Sequence, residues 1–180
     1  WKDYESEDDS VIKSVTFEEG VTPKIMDNWF SDMDTLEYVP AIPTSVESTA
    51  HTFENCESLT KVPDLTVCGN LLNTTSMYQG CISLQESSSL PASVRVAEAM
   101  YKEAEKLKAA PDLSGASSLS QAKEMFNECS NLVSASLPPA LVNGESMYAG
   151  CINLKEMPQT PETVTNMANM YLSLIHISEP

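Results

Sequence analysis

The stretch "ESMYAGCINLKEMP", residues 145–158, places an aromatic residue, a cysteine, a leucine and a proline at fixed offsets. Variants of this phrase recur along the chain. The aromatic residues that mark them are Phe30, Phe53, Tyr78, Tyr101, Phe126, Tyr148 and Tyr171. The steps between them are 23, 25, 23, 25, 22 and 23 residues. A period this regular predicts a solenoid, in which each copy stacks on the next.

Other positions of the repeat are equally regular. Three residues after each of the first six aromatics stands a cysteine or a small or pliable apolar residue: Met33, Cys56, Cys81, Ala104, Cys129 and Cys151. Three residues further on, a leucine follows every time: Leu36, Leu59, Leu84, Leu107, Leu132 and Leu154. A period in the low twenties with recurring leucines lies in the range of leucine-rich repeats.

The apolar spacing around each aromatic is typical of a helix. In "SSLSQAKEMFNECSNL", residues 117–132, the apolar residues Leu119, Ala122, Phe126, Cys129 and Leu132 follow one another at intervals of three or four. This spacing would place them on one face of a helix. We therefore predict about three helical turns in each copy.

The segment after each leucine reads L-x-x-[VAM]-P or a close variant, as in Leu59 with Val62 and Pro63. Spaced apolar residues stopped by a proline favour a strand of only a few residues. Stacked strands lie about 4.8 Å apart, whereas packed helices need about 8–10 Å. The prediction is therefore an α/β solenoid, a leucine-rich-repeat-like array of about seven rungs, each a short strand plus a short helix, curved with the strands on the concave side.

The repeat pattern also divides the chain. Residues 1–10, "WKDYESEDDS", lack it and are predicted to be an acidic lead-in, either poorly ordered or capping. The solenoid is assigned to residues 11–171. Residues 172–180 break the pattern, and "LSLIHISEP" resembles the translated read-through of a sequencing-library adaptor. This end of the chain, with His176, is therefore excluded as a non-native tail of a metagenomic fragment. A natural apolar end strand is the alternative.

The charge of the chain limits its partners. The net charge is -16, from 26 acidic and 10 basic residues. Such a field repels nucleic acid and anionic lipid, so neither is an expected partner. No run of about 20 apolar residues is present, and direct membrane insertion is not expected.

The cysteines are predicted to be structural. Four of the five share one position of the repeat, where Met33 and Ala104 replace them in other copies. This exchange favours reduced thiols packed in the core. Adjacent copies on a helical side would lie too far apart for disulfides. Cys68 lies outside the pattern and is the thiol expected to be exposed.

The sequence offers no catalytic or cofactor site. Outside the tail its only histidine is His51, which is expected to be packed or on the surface. The chain lacks a phosphate-binding glycine motif and the spacing of a calcium loop or a tetrahedral metal site. We therefore predict no enzyme activity, no metal and no cofactor.

Phrases such as "EMFNECSNL", "SMYAGCINLKEMP" and "TFENCESLTKVPDL" resemble the BspA-like leucine-rich-repeat surface proteins of host-associated bacteria. The likeness covers about residues 11–171. It implies an exported, extracellular or cell-surface protein, whose repeats mediate adhesion to a host or bacterial surface protein or glycan. A monomer is expected.

If the strands line a concave face, one position of each copy points outward. The predicted binding face consists of Tyr38, Lys61, Glu86, Ala109, Ser134 and Glu156. Two other functions remain open. The array could be a structural spacer, or it could be an accessory region of a larger surface enzyme or phage-associated protein.

Overall fold

The computed structural model describes residues 11–173, which form a solenoid of seven stacked rungs. We number the rungs 1 to 7 by their aromatic residues, from Phe30 in rung 1 to Tyr171 in rung 7. The repeat solenoid expected from the period is thus confirmed. The predictions made for residues 1–10 and 174–180 lie outside the described residues, and the proposed domain limits remain predictions.

The predicted helices are wrong, because residues 11–173 contain no α-helix. Each aromatic lies instead in a turn segment, which runs from four residues before it to three after it (residues 49–56 in rung 2). Within this segment every second amide donates to the next rung, as Phe53 N does to Met77 O at 3.0 Å. The later amides between them donate to the carbonyl three residues earlier, as Cys56 N does to Phe53 O at 3.2 Å, whereas the first, Ala50 N, donates to Asp27 Oδ1. The backbone thus combines a chain of tight turns with a ladder to the neighbouring rung.

Left-handed residues make this alternation possible. Each turn segment has two residues with positive φ, placed two before and two after the aromatic. In rung 2 they are His51 and Asn55, with φ of 56° and 58°, and in rung 3 they are Ser76 and Gly80, with φ of 50° and 72°. A left-handed conformation costs a non-glycine residue about 1–2 kcal/mol. The hydrogen bonds between rungs offset that cost.

The spacing of the rungs explains why helices are excluded. Centroids of successive rings in rungs 1 to 7 are only 5.2 Å to 6.0 Å apart. Packed helices need about 8–10 Å between their axes, so a helix in each rung would prevent the rings from stacking. The concave strand side was predicted because packed helices would be thicker than stacked strands. Without helices, this difference in thickness between the two sides of a rung is absent.

Parallel pairing between rungs takes the form of isolated bridges and not of strands. One continuous series of bridges runs along the residue that directly precedes each turn segment. It joins Ile25, Ser48, Asn73, Val96, Gln121, Asn143 and Asn166. The predicted strand position has bridges only between Ser14 and Tyr38 and between Ala109 and Ser134. Prolines such as Pro63 and Pro111 follow this position and have no N–H to extend a ladder. The prediction of a strand in every rung was therefore wrong.

The buried residues form one core along the whole array. The equivalent aromatic and leucine side chains are buried in rungs 2 to 6, together with the cysteine between them or, in rung 4, Ala104. The aromatic rings of rungs 1 to 7 stack nearly parallel, with interplanar angles between 3° and 19°. Even the residues assigned to a helical stripe, such as Leu119, Ala122 and Phe126, are fully buried. The predicted core column is confirmed, although the predicted backbone is not.

Hydrogen bonds give the array a second period of two rungs. Leu65 N, in a long rung, donates to Ser88 Oγ at 2.9 Å, and Ser88 N donates to Tyr101 OH at 3.3 Å. The same arrangement returns two rungs later. Leu113 N donates to Ser136 Oγ at 3.1 Å, and Ser136 N donates to Tyr148 OH at 3.0 Å. Alternate rungs therefore differ, because among the described tyrosines of the column only Tyr101 in rung 4 and Tyr148 in rung 6 have a hydrogen-bond partner for the hydroxyl.

This alternation predicts opposite effects for two identical substitutions. Tyr148→Phe removes the partner of Ser136 and should lower the free energy of unfolding by about 1–3 kcal/mol. Tyr78 lies in the other class of rung, and its buried hydroxyl has no hydrogen-bond partner. Tyr78→Phe should therefore be neutral or should stabilise the fold by up to about 1 kcal/mol. Urea denaturation of both variants measures the difference, and equal destabilisation would contradict the two-rung network.

Candidate binding face

All six residues of the predicted binding face are exposed in the structure. They occupy the same position of successive rungs. The backbone around them is held in register, since Thr60 N donates to Glu37 O at 3.4 Å and Gln85 N donates to Thr60 O at 3.1 Å. Ala109 and Ser134 are paired by a parallel bridge. The six side chains therefore lie along one surface that crosses the rungs.

The first half of this face is electrically balanced. Lys61 Nζ lies 3.6 Å from Glu86 Oε1, and Lys13 Nζ lies 2.9 Å from Glu37 Oε1 at its edge. Tyr38, with 48% of its surface exposed, is the one aromatic residue of the face. Exposed ion pairs contribute only about 0–1 kcal/mol to stability, so these side chains can be rearranged by a partner at little cost.

The second half of the face contains a groove of about 240 Å³. Its lining includes Ser134 and Glu156 from the predicted face, together with Val133, Ala135, Lys155, Met157 and Pro158. Sequence reasoning singled out two of these seven residues. It missed Val133 and Lys155 because the predicted face took the residue two positions after each repeat leucine, and these two residues come one position after it.

A second groove, of about 560 Å³, lies between the first rungs. Phe17, Val21, Pro40, Ile42 and Pro43 contribute its apolar lining, and Glu18 is its one charged residue. It contains no histidine or cysteine that could act as a nucleophile, a base or a soft metal ligand.

The four repeat-position cysteines are held as hydrogen-bond donors in the core. Each thiol lies beside the carbonyl oxygen of an aromatic residue in the preceding rung, as Cys129 Sγ does at 3.0 Å from Tyr101 O. The other pairs are Cys56 with Phe30, Cys81 with Phe53 and Cys151 with Phe126. Where the position holds cysteine, it therefore provides a buried hydrogen bond between rungs in addition to apolar packing, although Met33 and Ala104 fill the same position without a donor. The helical spacing that was expected to separate these cysteines is absent, and the thiols face carbonyl oxygens.

Cys68 is also buried, so the prediction that it is the exposed thiol was wrong. It lies in the long loop of rung 2, which folds inward so that Leu65 and Leu71 on either side are also fully buried. Burial raises the pKa of Cys68 as well as those of the other four thiols.

The thiols should therefore be inert in the folded protein. Thiolate is the reactive form, and burial raises the pKa of Cys56 and of Cys151 to about 12. We expect Ellman's reagent to modify no cysteine at neutral pH until the protein is unfolded in guanidinium, when all five react. Rapid modification of any cysteine in the native protein would contradict the described burial.

The remaining candidates for chemistry do not form a catalytic arrangement. His51 is half-buried, and its Nδ1 lies 2.8 Å from Glu54 Oε2. No hydroxyl or thiol is among the hydrogen-bond partners of His51 in the described part of the chain. Within residues 11–173 no three His, Cys, Asp or Glu side chains are arranged to hold a metal ion. The same residues include no helix long and apolar enough to cross a bilayer.

Comparison with known proteins identifies the repeat. The sequence matches the family described as "BspA type Leucine rich repeat region", in six copies, over residues 6–108 and 75–173. No curated protein matches the chain.

Two solved structures have a similar fold. One is a leucine-rich repeat protein from Bacteroides ovatus, with a TM-score of 0.60 and 17% identity, and the match covers 94% of this chain and 47% of that one. The other, from Eubacterium ventriosum, has a TM-score of 0.63 and 15% identity, with coverage of 88% and 45%. The chain thus spans just under half the length of both proteins.

Proposed function

The chain belongs to the family of BspA-type leucine-rich repeat proteins, and from this premise we propose that it is a non-catalytic binding module of a cell surface, which adheres to a partner through its repeat face. The observation that carries the proposal is the register of the predicted face. Six exposed positions, from Tyr38 to Glu156, lie along one surface of a stacked array. Solenoids typically bind through extended surfaces of this kind.

The character of the face suits a protein or glycan partner. It combines an exposed tyrosine, charged side chains of both signs and small polar residues, which is a composition that allows both apolar contact and hydrogen bonding. The acidic net charge of the whole chain disfavours nucleic acid and anionic lipid as partners. An extracellular or cell-surface location belongs to the same proposal, since the family is typically associated with the cell surface.

Binding of the fluorescently labelled chain to cultured epithelial cells, measured by flow cytometry, tests this proposal. The test variant combines Tyr38→Ala with the charge swap Lys61→Glu and Glu86→Lys, which leaves the net charge unchanged. The control variant swaps Lys123→Glu and Glu145→Lys, a pair 3.0 Å apart on the turn segments. We expect saturable binding that falls at least tenfold in the test variant and is retained in the control. No saturable binding, or an equal loss in both variants, would contradict the proposal.

A further inference from the structure

Five of the nine basic residues between residues 11 and 173 are paired with carboxylates, but the lysines beside the groove are not. Five lysines between residues 11 and 173 lie within 4 Å of a carboxylate: Lys13, Lys24, Lys61, Lys102 and Lys123. Four other basic residues in this part of the chain, Arg95, Lys106, Lys108 and Lys155, have no carboxylate partner. Within residues 11–173 the Lys106 ammonium donates one hydrogen bond, to the hydroxyl of Ser83 at 3.4 Å. Unpaired ammonium groups in a chain of charge -16 are available to an external anion.

Three of these unpaired lysines lie together. Lys108, Val133 and Lys155 occupy the same position of three successive rungs, because Val133 N donates to Lys108 O at 2.9 Å and Lys155 N donates to Val133 O at 3.4 Å. Lys106 precedes Lys108 by two residues in the same rung. The two outer lysines are therefore two rungs apart, which is about 10 Å at the usual spacing of hydrogen-bonded backbones.

Apolar surface adjoins the two outer lysines, because Val133 lies in the rung between them and Met157 follows Lys155 by two residues. Val133 is 40% exposed and Met157 is 52% exposed, and both line the groove of about 240 Å³. A pocket for a drug-sized ligand measures about 300–1,000 Å³, so this groove is too small for most such ligands and suits one side chain of a longer ligand. Methionine adapts readily to different partners. Glu156 is the one acidic residue in the lining.

We propose that this basic patch, defined as Lys106, Lys108, Val133, Lys155 and Met157, binds an extended acidic peptide segment of a partner protein. Two carboxylates of the peptide pair with Lys108 and Lys155, and an apolar side chain between them enters the groove beside Val133. Alternate side chains of an extended peptide lie on one face, and the chain advances about 3.3 Å per residue, so two acids four residues apart with an apolar residue midway between them share a face. Their separation of about 13 Å is within reach of two flexible lysine side chains whose backbones are about 10 Å apart. This assignment rests on the proposed function, because it names the ligand chemistry of one half of the same face.

The charge of the rest of the molecule supports a short segment over a long polyanion. The lysines of the patch are surrounded by a chain with 26 acidic residues, which repels a continuous polyanion beyond the patch. A peptide with two acids and an apolar residue confines its charge to the patch. Its binding should weaken as the ionic strength rises, because the lysine heads are exposed to solvent.

Selection from a random dodecapeptide library displayed on phage tests the assignment on the whole chain. We expect enrichment of peptides with two acidic residues four positions apart and an apolar residue midway between them. Lys108→Glu combined with Lys155→Glu should weaken the selected peptides at least tenfold. The matched control, Lys24→Glu with Arg95→Glu, makes the same change of net charge away from the patch and should leave binding within twofold. Protection of the thiols from Ellman's reagent verifies that both variants fold.

Each other outcome overturns the assignment. Enrichment of basic or purely apolar peptides, equal weakening in both variants, or no enrichment would all reject an acidic peptide ligand. If the selected peptides are lost on the Lys61 and Glu86 swap but retained on the Lys108 and Lys155 variant, the ligand occupies the other half of the face. The cell-binding measurement is independent of the library, so the proposed function can stand when this assignment fails.

Discussion

Raising the pH above about 9 will destabilise the protein steeply, because its buried thiols hold their protons more tightly than the unfolded chain does. Desolvation raises the pKa of Cys56 and of Cys151 from 9.0 to about 12, and it raises the pKa of Cys81 and of Cys129 well above the ordinary value. As the pH increases, the unfolded chain therefore loses thiol protons first. The stabilisation is complete below the unfolded pKa and is lost as the pH approaches the folded pKa.

The expected effect is large relative to the stability of a small domain. Each thiol contributes at most about 1.4 kcal/mol per pH unit between these two pKa values. Cys56 and Cys151 together approach about 3 kcal/mol per unit, and Cys81 and Cys129 act in the same direction, whereas folded domains are stable by only about 5–15 kcal/mol. Urea denaturation followed by circular dichroism from pH 7 to pH 10 measures the slope.

Cysteine-to-alanine variants separate this effect from general charge repulsion. Ala104 shows that alanine is accepted at the cysteine position of rung 4. Cys129→Ala should be less stable at pH 7, yet its stability should fall less steeply above pH 9, by at most about 1.4 kcal/mol per pH unit. Free tyrosine ionises near pH 10, so the comparison is best made below that value. An unchanged slope would assign the alkaline instability to the net negative charge and not to the thiols.

Replacing an aromatic ring at the centre of the array will be the most damaging single substitution. Phe126 is fully buried and stacks on Tyr101 at 5.5 Å and on Tyr148 at 5.2 Å. Phe126→Ala should lower the free energy of unfolding by about 3–5 kcal/mol through lost burial and the cavity that remains. Because a rung of a solenoid contacts only its neighbours, this cavity weakens both interfaces of rung 5.

The way in which the variant unfolds is as informative as the magnitude. Loss of coupling at rung 5 should broaden the urea transition or divide it into two. Tyr38→Ala provides the control, because a side chain that is 48% exposed should change the free energy of unfolding by no more than about 0.5 kcal/mol. Similar destabilisation by both substitutions would contradict a continuous buried column.

The sequence predicted which residues are buried but not the backbone that buries them. Leu119, Ala122, Phe126, Cys129 and Leu132 all lie in the core, as their spacing indicated. Intervals of three to four residues arise in a helix and also in successive tight turns, so the pattern alone does not distinguish the two. The decisive constraint is the distance between rungs, which depends on contacts between residues about 23 positions apart.

The role of the cysteines shows the same limit. Their exchange with Ala104 and Met33 correctly indicated a buried position, but the carbonyl that accepts each thiol proton belongs to another rung. Cys68 was predicted to be exposed because it lies in a loop outside the repeat pattern, but this loop folds inward and buries the thiol.

The candidate site was predictable in position and not in detail. Counting the repeat placed Tyr38, Lys61 and Glu86 on one exposed surface. Ion pairs between rungs, such as Lys61 with Glu86, decide which lysines are already neutralised. The repeat pattern does not predict these pairs. The basic patch beside Val133 is defined by lysines outside those pairs, so the sequence alone did not predict it.

Backbone hydrogen bonds of the turn segments run between rungs and not along helices. Scalar coupling across hydrogen bonds, measured by NMR on labelled protein, detects the partner of an individual amide. We predict a coupling between the amide nitrogen of Phe53 and the carbonyl carbon of Met77, whose atoms N and O are 3.0 Å apart. A coupling from the same amide to the carbonyl of Thr49, four residues earlier, would show a helix and would rule out the hydrogen-bond ladder between rungs.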